Sequence, residues 1–309
     1  MKNLLSACLS VLLLAGCTGG IWPEPGTPKP ETPEQPGWLL TKVTKRLKYD
    51  WGYVNITKTV DEYLYNEHHK PIVHRYYSNA ADSNNLILTE VDSLFYDSQQ
   101  RVVQINRFSV SLNHVSSLRK LIYSGSNRLP HRVEQHTLHD SLGNPRPYPG
   151  YLYHYDYTYQ DSVVIQVANG NDFSNDTAKY HYNASGNYMF YDYPSWNAGG
   201  AFVKEHEFSG YDNAPNPARY FNLEHGFAFI IDDVRSLFRF YTPLVSKNNW
   251  TSFSKYTSSQ LPRPYVVRTV VVNGDGLVVE TNSPYGDFGN RPYTNEHIVY
   301  EYEQIAEAD

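Results

Sequence analysis

Cysteine is almost missing from this chain. Only Cys8 and Cys17 occur, and nothing after residue 17 can form an internal disulfide or a thiolate metal site. Long apolar runs are missing too: the one at Leu4–Leu14 is too short to span a bilayer as a helix. No polybasic run occurs and the net charge is −6, which disfavours nucleic-acid binding. There is no Gly-x-Ser-x-Gly elbow, no His-Glu-x-x-His, no phosphate-cradling loop and no dinucleotide fingerprint. What the chain has in excess is tyrosine: 28 Tyr against 13 Phe and 5 Trp in 309 residues. A Tyr-rich strand buries its ring and keeps its hydroxyl polar, which suits sheets with one solvated face.

The stretch Thr177–Tyr193 shows how that tyrosine is used. Ala178, Tyr180 and Tyr182 alternate with Lys179 and His181, placing the two sets on opposite faces of a strand. Asn183-Ala184-Ser185-Gly186 supplies a turn, and a second aromatic run leads back to Tyr193. The pattern predicts a β-hairpin. Variants of it recur over Glu62–Tyr77, Ser93–Val110, Leu118–Leu138, Tyr151–Ala168, Phe202–Phe221 and Val266–Thr281, with a closing strand at His297–Ile305. Units that cannot bury their own face must stack on neighbours, and consecutive hairpins do so as an antiparallel meander. One segment breaks the theme. Phe227, Ile230, Ile231, Val234, Leu237, Phe238 and Tyr241 recur at three- and four-residue steps, which predicts a helix over 226–241, stopped by Pro243.

Ahead of this domain lie two segments of different character. Residues 1–17 have the basic n-region (Lys2) and apolar h-region of a secretory leader. Their end, Leu14-Ala15-Gly16-Cys17, resembles a bacterial lipobox, which implies cleavage before Cys17 and its lipidation. Residues 18–37 carry Pro23, Pro25, Pro28, Pro30, Pro33 and Pro36 and read as an extended, semi-rigid tether. Residues 38–309 then form a single Tyr-rich β-repeat domain.

Leu94-Phe95-Tyr96-Asp97-Ser98-Gln99-Gln100-Arg101-Val102 and Tyr180-His181-Tyr182-Asn183-Ala184-Ser185-Gly186-Asn187 resemble YD repeats of the RHS type. With Tyr211-Asp212-Asn213-Ala214-Pro215-Asn216-Pro217 and Ser246-Lys247-Asn248-Asn249, the chain is similar over roughly residues 38 to 305 to Bacteroides-type lipoproteins of unknown function. The resemblance implies an all-β, sheet-rich lipoprotein and supplies no catalytic residues.

The candidate sites are few. Tyr151, Tyr153, Tyr155, Tyr157 and Tyr159 share one strand face; exposed they would stack sugar rings or a partner's apolar surface, and buried they would be scaffold. Asp–Ser/Thr–apolar triplets resemble the O-glycosylation motif of Bacteroides-type envelope proteins, which makes Ser93, Ser141, Ser162 and Thr177 candidate acceptors. His136-x-x-His139-Asp140 has metal-like residue types but no third ligand. Glu205-His206-Glu207 places two carboxylates on one strand face without a matching carboxylate from a second strand. Asn273-Gly274-Asp275-Gly276 lacks the length of a calcium loop and reads as a hairpin turn.

The expectation is therefore an all-β antiparallel meander forming a large twisted sheet with one helix packed on it. It belongs to a lipid-anchored protein of the cell envelope, on the outer membrane, held by its lipid and partnered by a glycan or an envelope protein. The domain binds or scaffolds without catalysis, cofactor or metal. The alternatives are a glycan-binding module and, more weakly, a carboxylate-dependent glycoside hydrolase.

Overall fold

A computed structural model describes residues 37–305, apart from 51–53, 80–84, 128, 140–143, 146–150, 161, 171–172, 195–199, 201, 218–245, 247, 257–261 and 286–293. The leader, the tether and the expected helix at 226–241 lie outside the described residues.

The described chain is almost entirely strand. In order it forms β1 (Trp38–Asp50), β2 (Val54–Tyr65), β3 (Pro71–Asn79), β4 (Leu86–Tyr96), β5 (Val102–Ser109) and β6 (His114–Ile122). Then come β7 (Arg132–Thr137), β8 (Tyr151–Gln160), β9 (Val163–Gly170), β10 (Phe173–Tyr182), β11 (Tyr188–Pro194) and β12 (Phe202–Pro215). The last five are β13 (Asn248–Tyr256), β14 (Pro262–Val267), β15 (Thr269–Val272), β16 (Val278–Tyr285) and β17 (Thr294–Gln304). All pairings are antiparallel between sequential strands, with two additions. β1 pairs with β17 from Trp38↔Gln304 to Lys48↔Asn295, and β14 touches β16 through Val266↔Tyr285. β14 and β15 are one strand interrupted at Arg268, so the wall has 16 staves nearly closing into a barrel. The meander expected from the sequence is present, but its first and last strands meet instead of remaining open edges. Closure removes the unpaired backbone groups that an open sheet would expose.

Four tight turns share one mechanism. Asn66, Asp97, Asn183 and Asn273 each accept, through a side-chain oxygen, the backbone N–H groups two and four residues ahead, at 2.9 to 3.0 Å. The fourth residue of each turn is left-handed: His69 (φ 57°), Gln100 (φ 60°), Gly186 (φ 75°) and Gly276 (φ 80°). Glycine accepts that conformation without steric cost; His69 and Gln100 do not.

Tyrosines lock each hairpin to the previous one. The hydroxyls of Tyr65, Tyr96, Tyr123, Tyr159 and Tyr302 donate to the carbonyls of Leu40, Pro71, Val102, Pro130 and Val278, at 2.5 to 2.8 Å. Three of the turn residues follow a tyrosine directly (Tyr65-Asn66, Tyr96-Asp97, Tyr182-Asn183). In Tyr65-Asn66 and Tyr96-Asp97 the dipeptide combines a tyrosine that anchors to the neighbouring hairpin with a side chain that folds the next turn. Burial raises the Tyr96, Tyr123, Tyr159 and Tyr302 hydroxyls above the usual range, so they remain protonated donors.

Strand alternation gives the wall two faces. Leu40, Leu94, Val102, Ile105, Leu121, Val133, Tyr157, Val164, Tyr180, Phe208 and Trp250 are buried on the common inner face, with Tyr63, Tyr96, Tyr123, Tyr300 and Tyr302 packed against them.

Candidate functional site

Among the aromatic rings, the inner face carries a belt of polar side chains from the β14–β15 junction through β1 to β10. Its centre is His74 on β3. The imidazole bridges Asp61 (Nε2–Oδ1 2.7 Å) and Asp92 (Nδ1–Oδ2 3.1 Å) and stacks on Tyr63 with ring centroids 5.1 Å apart. Asp92, only 2% exposed, also takes Nε and Nη2 of Arg107 at 2.8 and 3.0 Å, and Arg107 reaches Glu90 at 3.3 Å. Register explains the assembly: Asp61↔Tyr76, His74↔Asp92 and Asp92↔Arg107 bring the alternating polar positions of four strands to one level.

Burial by itself would lower the His74 pKa, but its bonds to Asp61 and Asp92 outweigh that and hold it at about 9. Burial would raise Asp92, yet the bonds from His74 and Arg107 hold it well below the usual carboxylate range. With both ring nitrogens donating, the imidazolium has no lone pair with which to accept a proton. The cluster has the residue types of an acid–base site, held with His74 as a donor to two carboxylates.

Beside it, Glu296 on β17 bonds Lys45 (2.7 Å) and Arg268 Nη2 (3.2 Å), while Arg268 donates Nε to Ser283 and lies 3.7 Å over the Trp250 ring. On the other flank Arg119 donates to Gln135 at 2.9 Å. Gln166 ties Tyr157 and Tyr180 together at 3.0 and 2.6 Å.

The tyrosine row of β8 belongs to this inner face. Tyr157 is buried, and Tyr155 and Tyr159 pack against the core. Tyr153 meets Tyr155 edge-on at 5.6 Å, and the Tyr151 side chain lies outside the described residues. These rings line the interior and do not form a flat platform on the outside. Of the triplet hydroxyls, Ser162 is exposed in the turn after β8, Ser93 and Thr177 are half-buried on β4 and β10, and Ser141 lies outside the described residues.

His136 and His139 are not brought together on one ligand. His136 is 3% exposed with Glu134 at 3.5 Å, while His139 lies against His114 with ring centroids 3.5 Å apart. Among the described residues no group of three or more His, Cys, Asp or Glu is placed to hold a metal ion. Glu207 pairs with Lys204, and Asn273–Gly276 is a hairpin turn. The His74 and Glu296 clusters escaped sequence reasoning because each member sits alone in an alternating strand. The only available signal was a charged residue in phase with tyrosines, as in Asp61-x-Tyr63-x-Tyr65.

The outer face has the opposite character. Lys42 and Arg46 on β1, Glu62 on β2, Arg75 on β3, Lys120 on β6, Glu134 on β7, Asp156 on β8, Lys204 on β12 and Glu301 on β17 alternate with the inner positions. Several pair at the surface: Lys42–Glu301 (2.9 Å), Arg132–Asp156 (2.6 Å), His181–Asp192 (2.9 Å) and His297–Glu280 (3.0 Å). A transmembrane barrel needs an outward apolar band, and a Lys or Arg at the lipid midplane costs roughly 2–4 kcal/mol.

Neither a protein-family model nor a curated protein sequence matches the chain. Among solved structures it is similar to a porin-like protein from Bacteroides uniformis, with a TM-score of 0.53 at 10% identity over 85% of this chain and 98% of that one. A porin-like protein from Bacteroides vulgatus gives a TM-score of 0.46 at 11% identity over the same shares of the two chains, too low to argue a common fold. At such identity the first likeness is one of barrel architecture alone.

Proposed function

We propose that this is a cell-envelope lipoprotein whose water-facing β-barrel binds or scaffolds without catalysis and does not act as a lipid-embedded pore. The observation that carries the reading is the polarity of the wall. Charged side chains and ion pairs occupy the outer face, and aromatic rings with a belt of ion-paired and hydrogen-bonded side chains occupy the inner one. That is the reverse of what lipid outside and water inside require. The anchor is then a separate device: an acylated Cys17 and the tether of residues 18–37 hold a barrel that stays in water. The barrel likeness to a porin-like protein of Bacteroides supports an envelope setting, and the outer membrane is the membrane it fits.

The test has two arms. Radiolabelled palmitate should enter the full-length protein in its native host and be lost in Cys17→Ala. Residues 38–309, purified without detergent, should give no conductance steps in planar bilayers. Stepwise conductance, or label retained without Cys17, would refute the reading.

A further inference from the structure

Over much of the outer wall, register sets opposite charges across from one another. Lys42 lies between Glu62 and Glu301, and Glu62 between Lys42 and Arg75. Lys120 faces Glu134, Arg132 faces Asp156, and Asp192 lies between Lys179 and Lys204. The junction of β1 and β2 breaks this order. Arg46 faces Lys58, and its neighbour on the other side is His297 of β17. Lys48, two residues on, shares the face with them. Arg46 and Lys48 are exposed and Lys58 is half-buried. Among the described residues no ion pair or side-chain hydrogen bond joins any of these three cations to another group, and His297 is held by Glu280 at 3.0 Å.

Side chains directly opposite on paired strands stand about 5 Å apart, and like charges there destabilise a sheet. A chain of net charge −6 nevertheless keeps three unpaired cations together, where a single Asp or Glu among them would relieve the repulsion. The arrangement costs the fold stability and suits an anion from outside. No polybasic run announces it, because Arg46 and Lys58 meet only through register.

The place of the patch narrows the anion. Ile305 N–H donates to Gly37 O, and Tyr65, beside the Asn66 turn, donates to Leu40 O, so both chain ends and that turn share one end of the barrel. Lys48 lies further along β1 from Trp38 by about 30 Å of strand. On the lipoprotein reading, on which this step rests, the tether enters at Trp38 and the patch stands well off the anchoring leaflet and its headgroups. A protein partner needs an apolar centre to its interface. Among the described residues the outer faces of β17, β1, β2 and β3 expose only two large apolar side chains: Ile56 near the patch and Leu64 at the turn end.

We propose that Arg46, Lys48 and Lys58 form a binding face for an anionic glycan, a polysaccharide strand bearing carboxylate or phosphate groups.

The mature protein, purified from its host in non-ionic detergent, can be tested for binding to polygalacturonate, phosphomannan and neutral dextran at low and high salt. It should bind one or both charged polysaccharides, more weakly as salt rises, and not dextran. Binding to polygalacturonate alone identifies a carboxylate ligand, and binding to phosphomannan alone a phosphate ligand. Arg46→Gln with Lys58→Gln should lower the affinity about tenfold or more, with an unchanged or higher melting temperature because the like-charge pair is gone. Lys204→Gln, which removes an outer cation paired with Glu207, should leave the affinity unchanged. No binding to either charged polysaccharide, dextran bound equally, an unchanged affinity in the double variant or the same loss from Lys204→Gln would overturn the proposal. So would poly-glutamate bound more tightly than either polysaccharide, which would mark an acidic protein partner. None of these outcomes alters palmitate labelling or bilayer conductance, so the lipoprotein reading stands or falls separately.

Discussion

The two faces of one wall use the same ion pairs to different ends. Outside, Lys42–Glu301 joins side chains 36% and 49% exposed, where water screens the attraction. Inside, Arg107–Asp92 is 16% and 2% exposed, and Asp92 also takes His74. Exposed pairs add about 0–1 kcal/mol. Breaking a buried pair leaves an uncompensated charge and costs about 3–5 kcal/mol. The lesson is that charge content does not reveal which side of a barrel meets water; the cost of removing each charge does.

The largest effect should follow from Asp92→Ala, which strands His74 and Arg107. Urea unfolding should show a loss of about 3–5 kcal/mol. Glu301→Ala should lose less than about 1 kcal/mol. Equal losses would erase the contrast between the faces.

Next comes pH. The folded His74 pKa of about 9 lies above its ordinary value of 6.5. Its stabilisation is therefore complete below about 6.5 and is lost as pH rises through 9. A shift of this size corresponds to a few kcal/mol. Asp92 acts in the opposite sense: its pKa is lowered, so its contribution is present above the ordinary value of 3.8 and falls away in acid. Melting temperature against pH should show a plateau between these limits, and His74→Gln should flatten the alkaline side.

Smaller still is Tyr96→Phe, which leaves the Pro71 carbonyl without its donor and should cost about 1 kcal/mol by thermal unfolding. Smallest is Gln100→Gly. It relieves a left-handed residue at φ 60° but loosens the unfolded chain, so the net gain should be a few tenths to about 1 kcal/mol.

Much of the wall was legible in the sequence because its signals are local. Thr177–Tyr193 alternates as expected and folds as β10 and β11 about the Asn183–Gly186 turn. Asn273–Gly276 turns between β15 and β16 for the same reason. Closure was not legible. Nothing in Leu39 or Glu303 announces that the two residues face each other across β1 and β17, because the pairing joins the ends of the domain. The direction of the β8 tyrosines was equally open, since a period of two assigns residues to faces without saying which face is inside. The polar belt was hidden because Asp61, His74 and Asp92 are neighbours only through register, each 13 or more residues from the next.

The most direct test of the central claim is the mass of residues 38–309 in detergent-free solution, by size exclusion with light scattering. A water-facing outer wall predicts a monodisperse peak that binds no detergent when it is added. Aggregation relieved only by micelles, with a belt of bound detergent around the protein, would contradict it.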